Sequence, residues 1–305
     1  MGISRRTALK GLLAGSAAAT IGSTRASALS APRPDAVALL YDATLCIGCK
    51  ACMAACNEAN DLPADTAAAP GALYHKPVDL SARAKTVVKL YAHSTERSFV
   101  KVQCMQCLDP ACASACMLGA LQKTTFGVVS YDADLCVGCR YCEVACPFGV
   151  PKFEWSKAAP KIVKCELCKE RLAAGKQPAC TDVCPRTAVV FGPRKDLLEE
   201  AHRRIAANPD RYVPTVYGET EAGGTQALYL SAVPFEHLGF PALGPDPVPQ
   251  LARLIQHGVF RDFIAPVALY GALAAVMWRN RSTDPFKPTG RLSDDSPRDE
   301  HKHAR

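Results

Sequence analysis

Apolar positions along the chain gather into short, separated runs. TVVKLYA (86–92) and SFVKVQ (98–103) are rich in β-branched and aromatic residues and flank the polar HSTER, which predicts a hairpin. ALQKT and GVVSYD, within 120–132, predict a second hairpin, and TAVVFG (187–192) a further strand. From 193 the period changes. In PRKDLLEEAHRRIAAN, Leu197, Leu198, Ala201 and Ile205 share one face and Pro193 opens the segment, so 193–208 reads as an amphipathic helix. Residues 61–85 are polar and proline-bearing and read as loop. Residues 209–250 are loop-rich and close on PALGPDPVPQ, a stiff linker.

Both ends carry apolar stretches of another kind. A weakly apolar run from Leu9 to Ile21 follows the paired Arg5 and Arg6 and precedes Ala26-Ser27-Ala28, a small-x-small cleavage pattern. This predicts a signal peptide over 1–28. SRRTALK points to the twin-arginine type, although Ala8 stands where Phe is usual; an ordinary secretory signal is the alternative. FIAPVALYGALAAVMW (263–278) has no charge over sixteen residues. A bilayer span takes about 20 residues, so a buried helix competes with a membrane anchor. Trp278 at one border and Arg279 and Arg281 beyond it favour a single-pass anchor over 260–280, with the polar tail 281–305 cytoplasmic. The bulk of the protein is then expected on the periplasmic side of the inner membrane.

The 305 residues allow one large or two ordinary domains, and an apolar share of 49% is ample for a core. The net charge of +7 sits partly in the termini and gives no reason to expect a nucleic-acid partner. No nucleophile–base pair or glycine-rich phosphate loop is evident, and the seven His are scattered, so no catalytic residues are expected. Cysteine is the outlier: there are sixteen, all between 46 and 184, in four groups of four. YDATLCIGCKACMAAC (41–56) and YDADLCVGCRYCEVAC (131–146) agree at ten of sixteen positions, which marks an internal repeat.

Disulfides fit poorly, because cysteines two residues apart on a tight loop seldom meet bridge geometry. Zinc draws on separated CxxC pairs and explains neither the triplet nor the proline after the last Cys. The C-x2-C-x2-C-x3-C-P run is the bacterial 4Fe–4S ferredoxin signature. Each iron corner of a cubane takes a soft thiolate, and three closely spaced Cys wrap three corners. Gly48 and Gly138 permit the turn and bring backbone N–H groups toward sulfur; Pro147 and Pro185 end the helix after the fourth Cys. Four complete quartets predict four 4Fe–4S clusters. Runs two and four depart by a longer spacer and an eleven-residue insert before their third Cys. Lys50, Arg140, Lys164, Lys169 and Arg171 adjoin these runs, either as solvated surface or as tuners of cluster charge and docking.

CIGCKACMAAC, CMQCLDPACASAC, CVGCRYCEVACPFGVPKF and CELCKERLAAGKQPACTDVCP together resemble the four-cluster ferredoxin-like electron-transfer subunits of bacterial respiratory complexes. That family includes the beta subunits of formate dehydrogenase and dimethyl sulfoxide reductase and the iron–sulfur subunits of periplasmic nickel–iron hydrogenases. Met117 departs from the family's usual Pro. The resemblance implies an α+β fold of two interleaved ferredoxin modules over 29–192, the second inserted in the first. A helix and loop-rich docking extension (193–259) and the transmembrane helix would follow. It also implies crossed ligand sets: Cys46, Cys49, Cys52 with Cys184; Cys165, Cys168, Cys180 with Cys56; Cys104, Cys107, Cys112 with Cys146; Cys136, Cys139, Cys142 with Cys116. The implied partners are the large and small subunits of a nickel–iron hydrogenase and an integral membrane quinone-reactive subunit. A molybdenum oxidoreductase is the alternative complex, and a metal-free or zinc-bound structural protein the alternative class.

Overall fold

The computed structural model describes residues 36–63, 77–249 apart from 95, 125, 156, 158 and 159, and 264–280. The predicted signal peptide and the polar tail lie outside the described residues. The chain divides into two units, Met1–Gly258 and Val259–Arg305. In the first, β1 (Val37–Asp42) leads to α1 (Ala51–Glu58) and the hairpin of β2 (Thr86–His93) and β3 (Glu96–Gln103). There follow α2 (Ala111–Ser114), the hairpin β4 (Leu121–Lys123) and β5 (Val129–Tyr131), and α3 (Tyr141–Ala145). The short pair β6 (Lys152–Phe153) and β7 (Ile162–Val163) precedes α4 (Lys169–Ala173) and α5 (Ala179–Asp182). β8 (Val189–Pro193), α6 (Arg194–Ala207) and β9 (Ala227–Leu230) complete the unit.

The central sheet has the order β8-β1-β9. β1 runs antiparallel to β8, with Leu39 opposite Phe191, and parallel to β9, with Leu39 opposite Ala227. Its sequence VALLYD is apolar on both faces because both are covered. Ala38 and Leu40 pack with Leu197 and Ala201 of α6, while Leu39 and Tyr41 pack with Leu167, Cys180 and Tyr229 on the cysteine side. Burial of a leucine such as Leu197 contributes about 1.5–3 kcal/mol. Polar bonds join the same parts. The fully buried Asp42 accepts from Arg204 Nη1 at 3.1 Å and from the Tyr212 hydroxyl at 2.9 Å.

Both predicted hairpins form, and the predicted helix spans Arg194–Ala207 after Pro193. β9, from within 193–259, pairs directly with β1, and Thr225 bridges to Cys107. The reason is hydrophobic: Ala227, Leu228, Tyr229 and Leu230 are all buried, Ala227 and Tyr229 on the cysteine side and Leu228 and Leu230 against α6.

In the second unit, α7 (Ile264–Asn280) has 17 residues. At 1.5 Å per residue it is about 25 Å long, against about 30 Å of bilayer hydrocarbon. No helix among the described residues is long and apolar enough to cross a membrane. Of the expected transmembrane segment 260–280, residues 260–263 lie outside the described residues and the rest forms this helix. Its side chains from Val267 to Trp278 are exposed within the unit.

Candidate functional site

One backbone device recurs in all four cysteine runs. The residue before the second Cys has positive φ: Gly48 (70°), Gln106 (53°), Gly138 (72°) and Leu167 (52°). This turns the loop so that flanking sulfurs face inward. Glycine adopts such a φ without strain, and at Gly48 an added Cβ would also lie 2.2 Å from Phe99 Cε1. Gln106 and Leu167 hold the conformation by burial instead. The turn delivers backbone donors to sulfur: Gly48 N to Cys46 Sγ at 3.5 Å and Leu167 N to Cys165 Sγ at 3.4 Å. Ala188 N donates likewise to Cys184 Sγ at 3.3 Å.

The runs do not assemble each with itself. Cys46, Cys49, Cys52 and Cys184 line one cavity, together with Tyr41 and Val88. Cys56 leaves the other cysteines of its run and lines a second cavity with Cys165, Cys168 and Cys180. A helical turn explains the parting, since Cys52 and Cys56 lie one turn apart on α1 and α5 abuts that helix. Cys104, Cys107, Cys112 and Cys146 form a third group: Cys104, Cys112 and Cys146 add to burial in raising the Cys107 thiol, and Cys104 and Cys146 in raising that of Cys112. Cys142 is in turn affected by Cys116, Cys139 and Cys136.

Successive quartets adjoin one another. Cys52 is felt at Cys180, Cys165 at Cys104, and Cys142 at Cys112, so the groups succeed one another through the fold. The end groups each expose a cysteine, Cys49 and Cys139; the two inner groups expose none. Burial is the leading cause of the raised thiols, which reach about 11 at Cys104 and about 12 at Cys112, Cys142 and Cys180. These sulfurs are held protonated unless a metal centre takes the proton's place. Among the described residues no three His, Cys, Asp or Glu converge closely enough for a single metal ion. The first two quartets instead enclose cavities, which suits a cluster with four separate thiolate corners.

The charged neighbours of the runs have distinct roles. Lys169 pairs with Glu166 at 2.8 Å, Arg171 pairs with Asp182, and Arg140 stacks over Trp155 at 3.9 Å. Lys164 is buried, not solvated, and bonds the carbonyls of Val129 and Cys165. Sequence reading misses Lys101, which is 0% exposed and lines the second cavity. Its signal is faint: one lysine in the alternating strand SFVKVQ.

Cysteine quartets on a mixed helix-and-strand scaffold define an iron–sulfur electron carrier of the ferredoxin type. Residues 95–194 match the model of the 4Fe-4S dicluster domain family. A protein of Nitratidesulfovibrio vulgaris is 50% identical over 209 residues, 67% of this chain, and the chain spans 56% of that relative's length. The hydrogenase-2 operon protein HybA of Escherichia coli O157:H7 is 35% identical over 288 residues, covering 83% of this chain and 87% of that one. The nitrate-inducible formate dehydrogenase iron-sulfur subunit of Escherichia coli K12 is 38% identical over 203 residues, 64% of this chain and 67% of that one. The chain belongs to the family of iron–sulfur electron-transfer subunits that includes HybA. Its relatives include iron-sulfur subunits of formate dehydrogenase.

Proposed function

We propose that the chain holds four 4Fe–4S clusters and serves as the electron conduit between a periplasmic nickel–iron hydrogenase and a quinone-reactive membrane subunit. The ligand sets are Cys46, Cys49, Cys52 and Cys184; Cys56, Cys165, Cys168 and Cys180; Cys104, Cys107, Cys112 and Cys146; and Cys116, Cys136, Cys139 and Cys142. When bound, such clusters supply one-electron transfer at potentials set by charge, hydrogen bonds to sulfur and exposure. The chain's residues keep the inner two sets from solvent and leave Cys49 and Cys139 at the surface, open to a donor and an acceptor. The gathering of the cysteines into adjacent groups, two of which reach the surface at Cys49 and Cys139, carries the conduit reading. The hydrogenase assignment is supported by similarity to HybA over 83% of this chain.

Anaerobically purified protein is expected to hold about sixteen iron and sixteen sulfide per chain, four of each per cubane. Deleting the chain is expected to abolish hydrogen-dependent quinone reduction in membranes and leave hydrogen oxidation with a soluble dye. About eight iron per chain, with every Cys intact, would reject four clusters. Loss of formate-dependent activity instead would favour the second reading, a molybdenum formate dehydrogenase, which the 38% identity to that subunit supports.

The place proposed for the protein is the periplasmic face of the inner membrane, after twin-arginine export directed by Arg5 and Arg6. Segment 260–280 serves as its anchor. The support is α7, whose exposed Val267, Leu269, Tyr270, Leu273, Val276 and Met277 leave no polar face.

A further inference from the structure

We propose that Lys101 is a fixed positive charge shared by two adjacent cluster sites, those of Cys46, Cys49, Cys52 and Cys184 and of Cys56, Cys165, Cys168 and Cys180, and that it raises their reduction potentials. The inference rests on the ligand sets given under Proposed function. Lys101 lies on β3, opposite Val88, wholly inside the protein. An ammonium has three N–H donors. One goes to Gln103 Oε1. Among the described residues no carboxylate forms an ion pair with Lys101. A buried charge without a counter-ion is costly, so a lysine in this position requires an anion from elsewhere.

The anion is at hand. Lys101 borders the cavity of Cys56, Cys165, Cys168 and Cys180. Burial works against its charge, and sulfurs held as thiolates in that cavity would supply the anion that offsets it. Val88, directly opposite Lys101 on β2, lines the cavity of the first set, so Lys101 adjoins both sets. Four thiolates around a cubane leave a net negative charge, which grows on reduction. A nearby cation in a medium of low dielectric therefore favours the reduced state. Gln103 orients the ammonium and offers no competing charge.

The test is an EPR-monitored redox titration of the full-length, cluster-loaded chain as wild type, Lys101→Met, Lys101→Gln and Lys101→Arg, with iron counted in each. Lys101→Met is expected to keep its iron. At a fixed ambient potential the reduced-to-oxidised ratio of the affected clusters falls about tenfold, which is about 59 mV for a one-electron couple. Lys101→Arg, which keeps the charge, is expected to retain wild-type midpoints. Unchanged midpoints in Lys101→Met at full iron would overturn the inference. If both neutral variants lose iron and Lys101→Arg does not, the requirement for charge stands. Equal iron loss in Lys101→Arg would make the side chain a packing element and reject the inference. Wild-type protein with about eight iron would sink the ligand sets themselves, an outcome that iron counting separates from the rest.

Discussion

Gln106 donates from Nε2 to the backbone carbonyl of Cys165 at 2.7 Å, across 59 residues of chain. Its Oε1 accepts from the backbone N–H of Val129, also at 2.7 Å. One buried amide thus pins cysteine runs two and four to β5. Gln106→Leu strands both partners, each at a cost of about 1–3 kcal/mol. Anaerobic chemical denaturation is expected to show a lowered midpoint, with earlier release of iron. The same change at Gln122, which is exposed, should leave the midpoint within error.

Cys184→Ser is expected to disturb the cluster of Cys46, Cys49 and Cys52, although it belongs to the last run. The hard serine oxygen is a poorer partner for iron than thiolate. Cys56→Ser is expected to disturb the cluster of Cys165, Cys168 and Cys180 instead. EPR of the two variants reads the difference. A change confined in each case to the variant's own run would refute crossed ligation.

Gly48→Ala brings a methyl to 2.2 Å from the Phe99 ring at a φ of +70°. Phe99 must move, and its carbonyl holds the Tyr41 hydroxyl at 2.7 Å beside the first cavity. The variant is expected to lose about four irons, one cubane's worth, in iron analysis. Gly149, with nothing within 4 Å of an added Cβ, meets no clash, so Gly149→Ala should keep its iron.

Arg204→Met leaves the Asp42 carboxylate buried with Tyr212 and Thr44 as its remaining partners. Breaking a buried pair costs about 3–5 kcal/mol, less here because Arg204 is partly exposed. The expected result is loosening of α6 from the sheet, seen as faster proteolysis within Arg194–Ala207.

Ending the chain before Arg261 is expected to yield a protein that keeps all its clusters, since no Cys lies beyond 184. It should leave the membrane fraction, and hydrogen-dependent quinone reduction should fall while dye reduction persists. Continued sedimentation with membranes that lack every partner subunit would exclude the anchor.

What the sequence discloses depends on how local the cause is. The two hairpins are legible because polar turns interrupt β-branched runs, and α6 because its apolar positions keep helical spacing. β1 and β9 are not, since strands covered on both faces lose the alternation that marks a strand, and their pairing joins distant parts of the chain. The cysteine quartets are plain in spacing, while their crossing comes from the family resemblance. The turn at Gln106 and the charge at Lys101 escape notice because each depends on burial that only tertiary contacts create.

The parallel pairing of β1 with β9 governs the order in which the protein can be made. The strand synthesised first is the middle of its sheet, and both neighbours, β8 and β9, emerge late. Until Leu230 has left the ribosome, Leu39 and Tyr41 lack part of their cover and Cys46 waits for Cys184. Long-range closure of this kind is slow. The cavity of Cys46, Cys49 and Cys52 therefore gains its fourth cysteine only when the chain has been made through Cys184, more than 130 residues later.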